Sequence, residues 1–524
     1  MLLRAVATVG GFTMASRVLG FVRDLLIAAV LGAGPIADAF FVALRLPNLF
    51  RRLFAEGAFN AAFIPVFSGE LSTHGKRRAQ EFAERVLTLM LLVLVLLTIA
   101  AEVATPWFVT VLAPGFTDKP ESFELAVEMA RLTFPYLWLI TLASLMGAVL
   151  NALDKFAAAA AAPCLLNIIM IGALLLGADA LDTPGHVLSV AVTLAGLAQL
   201  VMMAWALQRS GYELRLVWPR LDPAVLRVLK LLGPSAVGAG VMQINLLIGT
   251  LIASLLPTGA IAYLYYADRI YQLPLGVIGV AMGTALLPRL SRSLRSGDAA
   301  DAANAMNRGL ELAMFLTLPA AVALAVIPQA VVSVLFERGA FTATDAAATG
   351  YVLAAYAFGL PAFVLVKVLA PGFFAREDTS TPVRIAMVSV AVNIALGFAM
   401  YRPFGAVGLA AATSLASWIN AVLLGWVLHR RGHFAADATL LGRLPRSLVA
   451  SIAVGAIVLA GAELAASELV GSELVRAAAL AIICGAGMAV YFVLAWVLGA
   501  ADRSAISALA KRPLDRIRRR RDKP

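Results

Sequence analysis

Charged side chains crowd the first two long apolar stretches of this chain. Residues 5–31 and 35–63 have the length of membrane-spanning helices, yet together they contain five arginines and two aspartates: Arg17, Arg23, Asp24, Asp38, Arg45, Arg51 and Arg52. A charge at bilayer depth is costly unless it faces protein or water, so such residues mark a functional site by default. Guanidinium groups bind phosphates and carboxylates through planar, paired N–H donors. The predicted chemistry is anion binding inside a membrane.

The spacing of these charges places several of them on shared helix faces. Two helical turns take about 7.2 residues, so residues seven apart lie on one side of a helix. Interhelical ion pairing, or snorkelling of long side chains to the lipid head groups, would be a purely structural alternative. The excess of arginine over aspartate favours a cationic cavity, and spacing does not decide whether Arg51 or Arg52 faces it. The shared-face sets are Arg17 with Asp24, and Asp38 with Arg45 and Arg52.

A second charged pair, Asp268 and Arg269, follows three tyrosines in a later apolar stretch. Arg269 either extends the anion site or pairs locally with Asp268, and spacing leaves both readings open. Lys367 and Glu102 are isolated charges in other apolar stretches, and no role is predicted for them.

Catalytic and metal-binding patterns are missing from the sequence. It contains no phosphate loop of the GxxxxGK[ST] type, and its four histidines lack the spacing of metal ligands. The sequence therefore predicts no enzyme activity, no metal and no cofactor. The net charge of +11 is a topology signal, not a sign of nucleic-acid binding, because the basic residues concentrate in alternate connections between apolar stretches.

The elements that must position these charges are membrane helices. The chain is 61% hydrophobic, with a mean hydropathy of +0.89. The predicted fold class is an all-α polytopic membrane protein with fourteen transmembrane helices, both termini cytoplasmic and residues 115–123 outside. Connections are expected at 68–85, 208–230 and 289–308, with 209–230 along the membrane interface. The helices are predicted at 5–31, 35–63, 86–114, 124–150, 157–178, 185–207, 226–256, 260–287, 307–328, 347–371, 382–400, 405–428, 447–467 and 475–499.

An internal repeat organises the predicted helices. Residues 34–41, GPIADAFF, resemble residues 259–266, GAIAYLYY, at an offset of 225. Six helices in each copy give two pseudo-symmetric lobes of the same orientation, an architecture in which transporters bind substrate between the lobes. The predicted domains are an N-terminal lobe at 1–210, a C-terminal lobe at 222–432, two additional helices at 443–500 and a basic cytoplasmic tail at 501–524.

Three motifs resemble the MurJ family of lipid II flippases: residues 16–24, SRVLGFVRD; residues 37–59, ADAFFVALRLPNLFRRLFAEGAF; and residues 266–269, YADR. The resemblance extends over the whole chain and implies the fold of the MOP exporter superfamily. It also implies a role in peptidoglycan synthesis and cell shape. The implied activity is to flip lipid II, an undecaprenyl-diphosphate-linked disaccharide pentapeptide, to the outer leaflet of the bacterial inner membrane.

The resemblance also implies which residues bind the substrate. Matched by motif, these are Arg17, Arg23, Arg51 or Arg52, and Arg269, with Asp38 nearby; the charge pattern adds Asp24 and Arg45. Residues 443–500 would form a groove for the lipid tail. Some members bind sodium through acidic residues, but residues 382–428 contain no Asp or Glu, so no metal site is expected here.

Lipid II and membrane lipids are the expected partners of a monomer that binds no nucleic acid; other cell-wall synthesis proteins stay open as partners. The nearest alternative is a flippase for another polyprenyl-diphosphate-linked oligosaccharide. A cation-coupled drug exporter should present acids in its cavity, and this chain presents arginines. A scaffold without transport would have no use for a charged interior.

Overall fold

The computed structural model describes residues 2–54 and 58–500, and most of them are helical. A helix satisfies its backbone N–H and C=O groups within one segment, which hydrocarbon surroundings require. The first nine helices are α1 (Leu2–Leu31), α2 (Pro35–Phe54), α3 (Ala58–Val103), α4 (Thr105–Leu112), α5 (Pro120–Thr133), α6 (Tyr136–Ala152), α7 (Ala157–Leu176), α8 (Pro184–Gln208) and α9 (Pro223–Ser254). The others are α10 (Ala260–Arg295), α11 (Ala299–Val326), α12 (Pro328–Phe336), α13 (Ala343–Phe374), α14 (Ser380–Arg430), α15 (Ala438–Leu464) and α16 (Glu473–Val497).

The fold class predicted from the sequence, an all-α polytopic membrane protein, is confirmed. Nine helices within the described residues are long and apolar enough to cross a membrane. The 51-residue helix α14 contains two of the predicted helices, 382–400 and 405–428. Its backbone leaves the helical conformation where the second of them begins, at Gly405 (φ 57°, ψ −139°). The predicted number of fourteen spans stays a prediction.

Two of the expected connections are helical, which the sequence analysis did not predict. Residues 68–85 lie within α3, which departs from helical geometry at Gly75 (φ 79°, ψ −179°). Polar pairs four residues apart support the helix there, including Arg77 with Glu81 at 3.2 Å. The expected connection 289–308 is reduced to residues 296–298, because Asp298 accepts the Asp301 N–H at 2.8 Å and caps α11 at its first turn.

The predicted interfacial segment 209–230 is divided in the structure. Residues 212–222 are non-helical, and α9 begins at Pro223. Three side chains on α3, each four residues from the next, form hydrogen bonds with backbone groups of this segment that are two residues apart. Four residues of a helix advance about 6 Å and two residues of an extended chain about 6.6 Å, so the side chains and the backbone groups have nearly the same spacing. The pairs are Gln80 with Glu213 O (2.6 Å), Glu84 with Arg215 N (3.3 Å) and Thr88 with Val217 N (3.1 Å).

The described residues form two compact units. The first comprises the described residues of Met1–Tyr265 with Arg338–Asp345, and the second comprises those of Tyr266–Glu337 with Ala346–Pro524. Helix α9 and the first residues of α10 thus pack with the N-terminal helices. The division into lobes at 1–210 and 222–432, which rests on the internal repeat, stays a prediction.

Helices α15 and α16 are attached to α11 and α12 within the second unit. Glu311 accepts hydrogen bonds from Arg308 and from Arg443 at one end of α15. Six residues before the end of α16, the Tyr491 hydroxyl donates to Phe315 O at 2.6 Å, one turn along α11 from Glu311. At the Glu473 end of α16, Arg476 donates to Ser333 O at 2.8 Å. The pair is therefore fixed to the unit near both of its ends.

Candidate anion-binding site

An ion pair between Arg23 and Asp24 lies within the apolar helix α1. The Arg23 Nη2 and Nε atoms donate to Asp24 Oδ1 at 2.7 Å and 3.1 Å, and Nη1 donates to Asn167 Oδ1 at 2.8 Å. The Asp24 residue is 3% exposed, whereas the Arg23 side chain is 16% exposed. Arg23 lies eight residues before Leu31, about 12 Å along the helix from that end. The guanidinium is thus held by acceptors on two helices, and the side chain as a whole is not fully buried.

Residues of two other helices fix the orientation of this pair. The Tyr265 hydroxyl donates to Asp24 Oδ1 at 3.2 Å, and its ring stacks on Phe41 with centroids 3.9 Å apart. Asn167 uses its amide nitrogen to donate to Ser16 O at 3.0 Å. Asn167 therefore connects α7 to α1 through the backbone and the guanidinium together.

Asp38 has partners of a different kind. Its residue is 2% exposed, and its carboxylate accepts the Gly259 N–H at 2.6 Å and the Ala262 N–H at 2.9 Å. Helix α10 begins at Ala260, so these donors belong to its first turn, where N–H groups lack partners within the helix. A carboxylate there also interacts favourably with the helix dipole. Gly259 adopts φ +95°, and a Cβ on it would lie 2.6 Å from Ala33 O, so this approach requires glycine.

Lys119 forms hydrogen bonds with carbonyl groups at the end of α9, the helix before α10. The Lys119 ammonium donates to Ser254 O at 3.3 Å and to Leu256 O at 2.5 Å, where α9 ends. The Gly115 N–H donates to the Ser254 hydroxyl at 3.1 Å. The turn between α9 and α10 therefore has a cation at the end of one helix and an anion at the start of the next, which is the favourable polarity for both dipoles.

The other predicted arginines of the first unit differ in accessibility. Arg17 is exposed in α1 and forms no ion pair with any residue in the described ranges, while Arg45 is half-buried in α2. The side chains of Arg51 and Arg52 lie outside the described residues. The structure thus joins Arg23 and Asp24 in one cluster and places Asp38 in another.

Arg269 belongs to the second unit, beside Asp268 on α10. The Arg269 Nη2 atom is 3.9 Å from Asp268 Oδ2, and Gln272 donates to the same carboxylate. The Arg269 side chain is 35% exposed. The local pair left open by the sequence is therefore present, and it is longer than a hydrogen bond.

Comparison with known proteins assigns the family. Residues 27–479 match the family model described as lipid II flippase MurJ. The chain is also 47% identical over 518 residues to the probable lipid II flippase MurJ of Rhizobium meliloti, covering 98% of this chain and 96% of the relative. The chain belongs to the lipid II flippase MurJ family.

Solved structures give the same fold. A structure of lipid II flippase MurJ in an inward closed conformation matches with a TM-score of 0.77 at 24% identity, covering 96% of this chain and 99% of the other. An inward-facing multidrug resistance MATE transporter of the MOP superfamily matches with a TM-score of 0.67 at 14% identity, covering 82% and 98%. The resemblance of three short motifs to the MurJ family is therefore confirmed over the whole chain.

Three polar residues around the site of this MurJ family member were not identified from the sequence as site residues. Asn167 is the one polar amide in α7, and Tyr265 lies in the second copy of the repeat. Lys119 is a basic residue in an otherwise acidic connection. An isolated polar residue in an apolar helix is the signal that could have singled out Asn167.

Metal ligation has no candidate in the described part of the chain. No group of three or more His, Cys, Asp or Glu residues there is arranged to hold a metal ion. The polar clusters of this family member are built from arginine, lysine, aspartate, tyrosine and amide groups. Of these, the guanidinium and ammonium groups are the donors suited to an anionic ligand.

Proposed function

We propose that this chain flips lipid II from the inner to the outer leaflet of the cytoplasmic membrane by alternating access. The family match and the relatives named as probable lipid II flippases support this. Such proteins move a lipid across the membrane and do not transform it, so the proposal involves no catalysis. The observation that carries it is the Arg23–Asp24 pair inside an apolar helix.

The pair suits a site that exchanges one anion for another. Asp24 keeps the guanidinium of Arg23 oriented while no substrate is bound. A diphosphate offers more negative charge and more acceptor oxygens than one carboxylate, so it competes for the same N–H donors through charge-assisted hydrogen bonds. Arg17, six residues away on α1, or about 9 Å along the helix, supplies a second cation without breaking an existing ion pair. The proposed set of substrate-binding arginines is completed by Arg45, Arg269 and either Arg51 or Arg52.

Asp38 is proposed to position α10 and not to contact the substrate. Backbone donors already occupy both of its oxygens. Through them it connects α2 to the beginning of the helix that carries Tyr265, which in turn orients Asp24. Asp38 therefore acts on the site through helix placement.

The proposal extends to topology and partners. We propose that both termini are cytoplasmic, because basic residues concentrate in alternate connections, and that the protein acts as a monomer. The substrate head group would bind between two six-helix lobes that rock against each other. Helices α15 and α16 would accept the undecaprenyl tail, and membrane lipids would be the other partners. Neither nucleic acid nor a coupling metal is part of the proposal.

A leaflet-resolved assay of lipid II in depleted cells tests the proposed function. The wild-type chain should restore growth and the appearance of lipid II in the outer leaflet, and Arg17→Ala should restore neither at normal protein levels. Arg295→Ala, at the exposed end of α10, is the matched control and should behave as wild type. Restoration of growth by the wild-type chain while lipid II stays in the inner leaflet would contradict the proposal. Movement of a different polyprenyl-diphosphate oligosaccharide in that case would favour the alternative substrate.

A further inference from the structure

Lys367 is a charged residue in α13 to which the proposed function assigns no role. It lies 24 residues after Ala343 and seven before Phe374, or about 36 Å and 10 Å from the two ends of the helix. The residue is exposed and forms no ion pair with any described residue. In a helix the Cα–Cβ bond tilts toward the N-terminus, so this side chain starts away from the nearer end, at Phe374. The Lys367 side chain would therefore have to bend back on itself to reach the Phe374 end of the helix.

Lys367 lies on a different face of α13 from the exposed rings of Tyr351 and Phe358, whereas the 41% exposed Phe374, seven residues after Lys367, shares the Lys367 face. Tyr351 and Phe358 are 58% and 57% exposed and, being seven residues apart, share a face. Phe358 also contacts the ring of Trp418 on α14. Lys367 comes nine residues after Phe358, which at about 100° per residue places it on the opposite side of the helix. Because a charge facing lipid is costly, the Lys367 face is expected to line a water-accessible interior.

The stem of Lys367 packs against α10 at Gly279. A Cβ built on Gly279 would be in van der Waals contact with Lys367, 3.4 Å from its Cγ and 3.8 Å from its Cβ, and 3.4 Å from Leu275 Cδ1. Gly279 is seven residues after Gln272 and eleven after Asp268, and these spacings put all three on one face. Lys367 therefore contacts the face of α10 that carries Gln272 and Asp268 two and three turns earlier.

The distance between the two cations limits what they can bind together. Gly279 is ten residues after Arg269, which corresponds to about 15 Å along α10. One diphosphate is too short to reach both levels, whereas five extended peptide residues span about 17 Å. A lysine is a flexible point charge without a planar fork, which suits a carboxylate at the end of a variable chain better than a bidentate phosphate.

We propose that Lys367 binds a carboxylate of the peptide stem of lipid II, while Arg269 serves the diphosphate. This inference rests on the proposed function and adds a specificity-determining residue to it. Lys367 would distinguish the peptide-bearing lipid from a polyprenyl diphosphate without a peptide.

Binding measurements on the full-length protein in nanodiscs test this assignment. Lys367→Gln should weaken binding of lipid II about tenfold, the ratio supplied by one hydrogen bond to a charged group. Binding of undecaprenyl diphosphate should not change. Lys367→Arg, which keeps the charge, should restore most of the loss, and Arg269→Gln should weaken binding of both lipids. Equal lipid II affinity of wild type and Lys367→Gln, or an equal loss for both lipids, would overturn the assignment.

A second measurement needs no variant. Wild-type protein should bind lipid II about tenfold more tightly than lipid II whose stem carboxylates are converted to amides. Equal binding of the two would overturn the role of Lys367 even if its variants failed to fold. If the wild type binds neither lipid II nor undecaprenyl diphosphate, the proposed function itself fails, which is a separate outcome.

Discussion

Asp24 and Asp38 are both buried aspartates of long apolar helices in the same compact unit, yet their partners differ in kind. Asp38 accepts two backbone N–H groups from the start of α10. Asp24 accepts from the side chains of Arg23 and Tyr265. Backbone donors cannot turn away without moving a helix, whereas side-chain donors can change rotamer. The difference in donors is the basis for proposing that Asp38 fixes a helix in place and that Asp24 can exchange its cation.

The largest effect is expected from breaking the exchangeable pair. Arg23→Ala leaves the buried Asp24 carboxylate without its cation, which should lower the free energy of unfolding by about 3–5 kcal/mol and abolish flipping. The double variant Arg23→Ala/Asp24→Asn removes the stranded charge, so it should recover most of the stability but none of the transport. Thermal denaturation of purified protein and complementation of a depleted strain measure the two effects. Transport by the double variant would show that the pair is only structural.

A smaller loss of stability is expected from Asp38→Ala. The variant leaves the Gly259 and Ala262 N–H groups without their acceptor, which should cost about 1–3 kcal/mol of stability. Asp38→Asn keeps one acceptor oxygen and should lose less. Asp298→Ala removes an exposed cap from α11 and, as the control, should fall at the low end of the usual 0.5–2 kcal/mol for a helix cap. Normal stability of Asp38→Ala together with lost flipping would instead make Asp38 a substrate contact.

Tyr265→Phe tests the hydrogen bond from the Tyr265 hydroxyl to Asp24, the aspartate with side-chain donors. The variant removes one hydroxyl donor to Asp24 and keeps the stacking on Phe41, so it should lower stability by about 1 kcal/mol. Tyr263→Phe, which removes a 3.0 Å bond to Asp345, is the matched control. The Tyr265 variant should also slow flipping, because Asp24 loses orientation, and the Tyr263 variant should not. Equal flipping rates would exclude a positioning role for the Tyr265 hydroxyl.

The sequence indicated the helices, and it indicated most of the charged residues as candidate site residues, because both signals are local. Apolar stretches report helices directly in a membrane, and a charge within one is conspicuous, as with Arg23 and Asp24. It did not separate the roles of Asp24 and Asp38. That difference depends on donors 221 and 241 residues away in the chain, and no periodicity within α1 or α2 carries such information.

The helical structure of the connections was not predicted, for a related physical reason. Polar residues at 68–85 and 289–308 indicated connections, and a solvated helix also has a polar surface. Pairs such as Arg77 with Glu81 support helix at that spacing. The side chain of Asn167 was likewise not predicted as part of the site, because its contact with Arg23 joins residues 144 apart.

The smallest expected effect concerns a third aspartate, which lies outside the membrane-spanning helices and has donors of both kinds. Asp378 accepts the Thr381 N–H at 2.9 Å and the Arg431 Nη1 at 2.6 Å. Bonds from Thr381 first, and then from Arg431, hold the pKa of the Asp378 carboxyl below its usual range. A lowered pKa in the folded state stabilises the protein above the unfolded pKa of about 4 and is lost as the pH falls through the folded value. Asp378→Asn should therefore be slightly less stable than wild type at pH 7, and the difference in melting temperature should shrink progressively below about pH 4. A difference that stays constant from neutral to acidic pH would show that the carboxylate charge contributes nothing at this connection.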